Sequence, residues 1–140
     1  MEGDIMIGRY GPPIFGIFKG IEGAYNVALM KAEVNTKFCI QDYFYWFLKT
    51  NKLRVFVEMS AKRAAGQDGI RKELLDKYSV HLPKSLQEQQ IIVQKLDALS
   101  VETKQLEALY QQKINDLDEL KKSILQKAFA GELNSSALVA

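Results

Sequence analysis

The residues best able to do chemistry in this sequence are cations and amides set among small side chains. Ser60-Ala61-Lys62-Arg63-Ala64-Ala65-Gly66-Gln67-Asp68-Gly69 places two adjacent cations and a primary amide in a stretch of mostly short side chains. Small residues let a backbone approach a surface closely, while Lys, Arg and Gln supply contacts to phosphates and base edges. A solvated loop would have the same spacing, so both readings stand. Arg9-Tyr10, at the end of an expected strand, is open in the same way. Lys19 and Arg71 join them as cations at or beside expected loops. The candidate contact residues are therefore Arg9, Tyr10, Lys19, Lys62, Arg63, Gln67 and Arg71.

Covalent chemistry is harder to find. The single cysteine, Cys39, excludes an internal disulfide, and the single histidine, His81, leaves no Cys/His set for zinc. There is no GxxxxGK[ST] phosphate loop and no GxSxG nucleophile elbow. No Gly-rich fingerprint follows a strand and opens a helix, as a dinucleotide or methyl-donor site needs. Pro-Asp and Asn-Pro dipeptides, which mark common nuclease and amino-methyltransferase motifs, do not occur. Neither catalysis by this chain alone nor a cofactor or metal is expected. His81 lacks a nucleophile or acid constellation and reads as structural or solvent-facing. Cys39 reads as a small buried hydrophobe. Exposed aromatics of the run Tyr43-Phe44-Tyr45-Trp46-Phe47 could stack on bases, but the run's apolarity favours core packing.

The elements that would position these residues follow from length and patterning. The chain has 140 residues, 47% hydrophobic and 26% charged, which suits one modest domain or a smaller one plus a long helix. With 19 basic against 17 acidic residues, the net charge of +2 excludes a strongly basic tail protein but allows a local basic face. The longest uncharged run, Tyr10 to Phe18, is too short to span a bilayer, and Met-Glu-Gly-Asp does not open a signal peptide. A soluble cytoplasmic protein without a membrane partner is the expectation. Residues 1–83 carry 12 basic and 9 acidic side chains, all three prolines and eight of the nine glycines. Residues 84–140 carry 7 and 8, no proline, and only Gly131. That shift sets a boundary near Pro83.

Beyond Pro83, Ser85-Leu86-Gln87-Glu88 is a capping-box pattern. Apolar positions then step by four and three through Ile92, Leu96, Leu99, Thr103, Leu106, Tyr110, Lys113, Leu117, Leu120 and Ile124. Eight of these ten are apolar or aromatic, a coiled-coil period in which Thr103 and Lys113 interrupt the seam. Leu109, Ile114 and Leu125 widen it, which suits more than one partner surface. Gly131 is placed for a left-handed stop. From Leu86 to Ala130 the helix would be roughly 65–70 Å long. An 83-residue domain cannot cover such a rod, and helices of this kind gain most of their stability from packing. A partner helix is expected through Ile92, Leu96, Leu99, Leu106, Tyr110, Leu117, Leu120 and Ile124.

Before Pro83 the pattern is mixed. Strands are expected at Gly3–Tyr10, within Phe15–Gly20, at Gly23–Met30 and at Tyr78–Leu82, with a Gly/Pro turn at Gly11-Pro12-Pro13. An aromatic helix over Tyr43–Lys49, capped by Gln41 or Asp42, breaks near Asn51 and resumes over Leu53–Met59. A short helix covers Ile70–Lys77. The fold class is α+β: a small mixed domain at 1–83, one long coiled-coil-forming helix at 84–133, and a tail at 134–140.

Several phrases resemble one family. Gly3-Asp4-Ile5 through Arg9-Tyr10-Gly11, Gly23-Ala24-Tyr25-Asn26-Val27-Ala28-Leu29 and Arg63-Ala64-Ala65-Gly66-Gln67-Asp68-Gly69 are similar to the distal half of a target recognition domain. Leu82-Pro83, Glu88-Gln89-Gln90-Ile91-Ile92, Leu96-Asp97-Ala98-Leu99, Leu117–Leu125 and Ala128–Leu133 resemble the helical spacer and C-terminus that follow. The family is the specificity subunit of type I restriction–modification systems, and the chain resembles the C-terminal third of a full subunit. The resemblance implies a small mixed target recognition domain that reads one half of a bipartite double-stranded DNA site. It also implies a long helix that packs antiparallel on a second such helix, sets the spacer and binds modification (methyltransferase) subunits. A restriction subunit joins that core, and the specificity subunit carries no catalytic residues. A chain with one helix finds its second half in another specificity segment or in its own copy, so a homodimer is expected. The alternative is a helix-mediated assembly module that reads no DNA.

Overall fold

The computed structural model describes residues 3–10, 15–20, 23–61, 69–70 and 72–133. The Gly/Pro turn at 11–13, most of the loop of small residues at 60–69 and the tail at 134–140 lie outside them.

Three short strands come first: β1 (Ile5–Gly8), β2 (Ile17–Lys19) and β3 (Leu29–Ala32). They form one antiparallel sheet in the order β2-β1-β3. The hydrophobic β1 takes the centre and is buried along its whole length. Ile5 lies opposite Lys19 and Ala32, and Ile7 opposite Ile17 and Met30. Because successive side chains alternate faces, Ile5, Ile7, Ile17, Met30 and Ala32 share one side of the sheet. Helices α1 (Gln41–Leu48) and α2 (Asn51–Ala61) cover it. Ile5, Ile7, Phe15, Leu48, Leu53, Val57 and Ile70 are the buried centre of that core, with Phe44, Phe47, Phe56 and Tyr78 packed around them. The fold is α+β.

The aromatic helix α1 starts at Gln41, and the residue before it, Ile40, supplies no side-chain cap. Neither expected cap, Gln41 or Asp42, caps it, because both side chains are spent at long range. Gln41 donates to the Gly3 carbonyl, and Asp42 pairs with Lys19 from β2. The break falls at Lys49–Thr50, where the Thr50 N–H and hydroxyl both donate to the Phe47 carbonyl, at 3.0 and 2.8 Å. Helix α3 (Lys72–Leu75) is shorter than the Ile70–Lys77 helix the sequence suggests. The apolar run Tyr78–Leu82 joins no strand. Tyr78 instead turns its ring onto Phe56 and Phe47, with centroids 4.9 and 6.1 Å away. A run of the right hydrophobicity becomes a strand only where an edge pairs with it, and no described strand does.

Helix α4 (Leu86–Phe129) has 44 residues. The Ser85 hydroxyl accepts from the Gln87 and Glu88 N–H groups at 3.2 and 3.4 Å, the capping arrangement expected there. Its far end closes at Gly131 with φ +76°. Glu132 N–H donates to the Lys127 carbonyl at 2.9 Å and Gly131 N–H to the Ala128 carbonyl at 3.2 Å, a Schellman stop.

The chain divides into two compact units, 1–96 and 97–140. The first turns of α4 belong to the first unit, held by the two residues of the helix that are buried, Gln89 and Val93. Gln89 is completely buried. Its Oε1 accepts the Ile40 N–H at 2.8 Å, and its Nε2 donates to the Phe38 and Pro83 carbonyls, each at 3.0 Å. One amide therefore ties the start of α4 to the segment before α1 and to Pro83.

Candidate functional site

The candidate contact residues Arg9 and Tyr10 leave the end of β1, where chain segments distant in sequence converge. Arg9 N–H donates to the Ala28 carbonyl at 2.8 Å, and Ile70 N–H donates to the Arg9 carbonyl at 3.0 Å. The Arg9 guanidinium donates in turn to the Ile70 carbonyl from Nε (3.2 Å) and to the Val27 carbonyl from Nη1 (3.3 Å). Arg9 thus fastens the segments before β3 and before α3 to the end of β1. It also lies 5.2 Å from the Tyr10 ring centroid. That ring, 44% exposed, occupies the space beside Gly69, where a Cβ would come within 2.4 Å of it. Only glycine fits there while Tyr10 keeps its place. Tyr25 and Val27 are exposed in the segment before β3.

Lys19, at the end of the edge strand β2, is ion-paired with Asp42 and lies 5.8 Å from the Tyr45 ring. The remaining candidates, Lys62, Arg63, Gln67 and Arg71, lie outside the described residues. Sequence reasoning passed over the face of α1 that meets Lys19. Phe44, Tyr45, Phe47 and Leu48 all pack in or against the core, and Asp42, Tyr45, Trp46 and Lys49 also follow the i, i+3, i+4, i+7 spacing of a second stripe. Lys49 Nζ lies 5.0 Å from the Tyr45 ring and 5.1 Å from the Trp46 ring, and 3.3 Å from the Tyr45 hydroxyl. The aromatic run is thus divided between core packing and a cation-bearing face. The signal was available in the spacing of Lys49 from Tyr45 and Trp46.

A cleft of about 1010 Å³ opens beside β3, its apolar wall including Met30, Phe44 and Tyr78. Its rim mixes Arg9, Lys31 and Lys72 with Glu33, Glu73 and Asp76. Lys31 is paired with Asp4 at 3.0 Å, and that hydrogen bond holds its ammonium pKa above the ordinary lysine value. Among the described residues no cluster of His, Cys, Asp and Glu could hold a metal ion. Every buried side-chain polar atom among them has a hydrogen-bond partner. Cys39 is buried, which raises its thiol pKa, and His81 is exposed.

The second expected site is the seam of α4. Ile92 and Leu96 are half-buried within the first unit. In the second unit Leu99, Leu106, Tyr110, Leu117, Leu120 and Ile124 are between 48% and 65% exposed, and Leu109, Ile114 and Leu125 beside them are similarly open. The two polar seam residues make contacts within the helix. The Thr103 hydroxyl donates to the Leu99 carbonyl at 2.7 Å, and Lys113 Nζ lies 5.8 Å from the Tyr110 ring.

A small α+β unit is thus followed by a long helix with an open apolar seam. The family model of the type I restriction modification DNA specificity domain matches residues 2–117, and the chain belongs to that family. No curated protein and no solved structure matches the chain. No helix among the described residues is long and apolar enough to cross a membrane.

Proposed function

We propose that this chain is a non-catalytic, cytoplasmic DNA-recognition element of a type I restriction–modification enzyme, reading one half of a bipartite duplex target. Residues 1–83 act as the distal part of the target recognition domain and 84–133 as the spacer and assembly helix. Arg9, Tyr10, Lys19, Lys62, Arg63, Gln67 and Arg71 contact DNA. In this reading Arg9 has two tasks: its bonds to Val27 and Ile70 shape the loop cluster, and its remaining N–H groups face the nucleic acid. The helix pairs through Ile92, Leu96, Leu99, Leu106, Tyr110, Leu117, Leu120 and Ile124 with a second specificity segment, here another copy of the chain. It also binds modification subunits, to which a restriction subunit is added. The observation that carries the reading is the open apolar seam of α4 in a member of a DNA specificity family.

The test is co-expression with the modification subunit encoded beside this chain, followed by mapping of methylated sites in host DNA. A new two-fold symmetric bipartite motif is the expected result, each copy reading one half-site. A stable complex without any new motif would leave a helix-mediated assembly module that reads no DNA. Failure to form a complex would remove the assembly role.

A further inference from the structure

We propose that the stripe of α1 on which exposed Lys49 rests against the half-buried rings of Tyr45 and Trp46, beside Lys19 of β2, is a contact surface for the phosphate backbone of duplex DNA. The inference rests on the DNA-recognition reading above and adds a surface to it. Two ammonium groups lie within 6 Å of the single Tyr45 ring, one brought by a strand and one by a helix. Lys49 also lies within that distance of Trp46. Rings hold a cation by their electron-rich faces without neutralising it, so Lys49 is oriented and keeps its full charge. A carboxylate partner would have cancelled it.

The charge balance around this face points the same way. Lys49, Lys52 and Arg54 are exposed at the α1–α2 junction and in the first turn of α2, and Lys19 comes from β2. Asp42 is engaged by Lys19, and Glu58 by Arg54 at 3.4 Å. Among the described residues no ion pair engages Lys49 or Lys52, and both are exposed. A polyanion with regularly spaced charges complements such a surface, and amphipathic rings give it a rigid floor. Phosphate contacts position a protein on the duplex without reading sequence, which complements base reading by loops elsewhere in the domain.

Trp46 is the chain's single tryptophan, so its emission reports on this face alone. The full chain is titrated with a mixed-sequence 30-base-pair duplex across a series of salt concentrations. The expected result is a change in Trp46 emission on binding. Lys49→Gln should flatten the slope of log affinity against log salt by about 0.9, the value of one phosphate contact, whereas Lys19→Gln, which removes an ammonium already paired with Asp42, should flatten it less. Lys49→Arg keeps the slope, and Lys104→Gln on α4 leaves it unchanged. If Lys49 only supports the end of α1, Lys49→Gln would lower the melting temperature and leave the slope intact, overturning the inference. Duplex binding with silent Trp46 emission and an unaltered slope would also overturn it, while leaving DNA recognition standing. Failure of the wild-type chain to bind any duplex at low salt would bring down both. A response to phosphatidylserine vesicles and not to duplex would assign the face to a membrane surface.

Discussion

The two units of this chain treat apolar residues in opposite ways. In residues 1–96, Ile5, Ile7, Leu48, Leu53, Val57 and Ile70 are each under 5% exposed, closed in by a sheet and two helices. In residues 97–140 no described residue is buried, and nine leucine, isoleucine and tyrosine side chains of the seam stand roughly half open. Side-chain chemistry is similar in both; the difference is whether the fold supplies a second surface. Covering a large apolar side chain is worth roughly 1.5–3 kcal/mol, so the second unit carries an unused driving force that the first has already spent. The first unit covers its own apolar side chains, and the second leaves its seam open.

The seam offers the largest test of that contrast. On the proposed pairing of two copies through the seam, Leu106→Glu and Leu117→Glu together should shift the chain from dimer to monomer in light scattering at micromolar concentration. Helical circular dichroism should fall at the same time, because a solitary helix loses its packing support. The same pair should abolish co-purification with the modification subunit while leaving the first unit folded. A wild-type monomer that kept its full helical signal would break the comparison, since the seam would then need no cover.

Gln89 sharpens the contrast from the other side, because it is where α4 still belongs to the closed unit. Gln89→Ala strands the Ile40 N–H and the Phe38 and Pro83 carbonyls, which the amide now satisfies. The expected loss is about 3 kcal/mol in chemical denaturation. Gln89→Glu should be worse near neutral pH, since a carboxylate would face two carbonyl oxygens. Burial would raise the folded-state pKa of the introduced acid above its unfolded value near 4.3. The penalty is therefore small below that value and grows as pH rises, because the unfolded chain then releases a proton that the folded chain retains. A flat pH profile for Gln89→Glu would mean that the side chain escapes to solvent.

What was legible in the sequence follows the same division. Helix α4 was readable because its signal is local: a cap at Ser85, a seam period held for several heptads and a glycine at the left-handed stop. Strand β1 was readable as the short hydrophobic run before a turn. Tyr78–Leu82 was misread as a strand because hydrophobicity cannot say whether an edge is there to pair with it. The cap of α1 was misread for a related reason: Gln41 and Asp42 suit capping by type, but Gly3 and Lys19 claim them from far away in sequence. Arg9 was legible as a residue of consequence, yet its bonds to Val27 and Ile70 depend on segments that meet only in the fold. Gln89 stood inside the Glu88-Gln89-Gln90 phrase of the resemblance, but nothing in one sequence marks which of two adjacent amides is buried.

The smallest expected effect lies at the edge of the closed unit, where Cys39 stands just before α1 and Tyr43 in its first turn. Burial raises the pKa of both groups, and Cys39 raises Tyr43 a little further by charge. Both are acids held in their neutral form, so they cost nothing while pH stays below their ordinary ranges. As pH rises through the thiol range near 9 and then the phenol range near 10, the unfolded chain ionises first and stability falls. Cys39→Ala should remove the first part of this decline and keep the second. Without the thiolate nearby, the phenol of Tyr43 should also titrate slightly lower, which a spectrophotometric titration at 295 nm would detect. Iodoacetamide should label native Cys39 far more slowly than the denatured chain, because the thiol is both neutral and covered. Equal labelling rates would mean that the packing around Cys39 and Gln89 opens readily, and the first unit would then share the openness of the second.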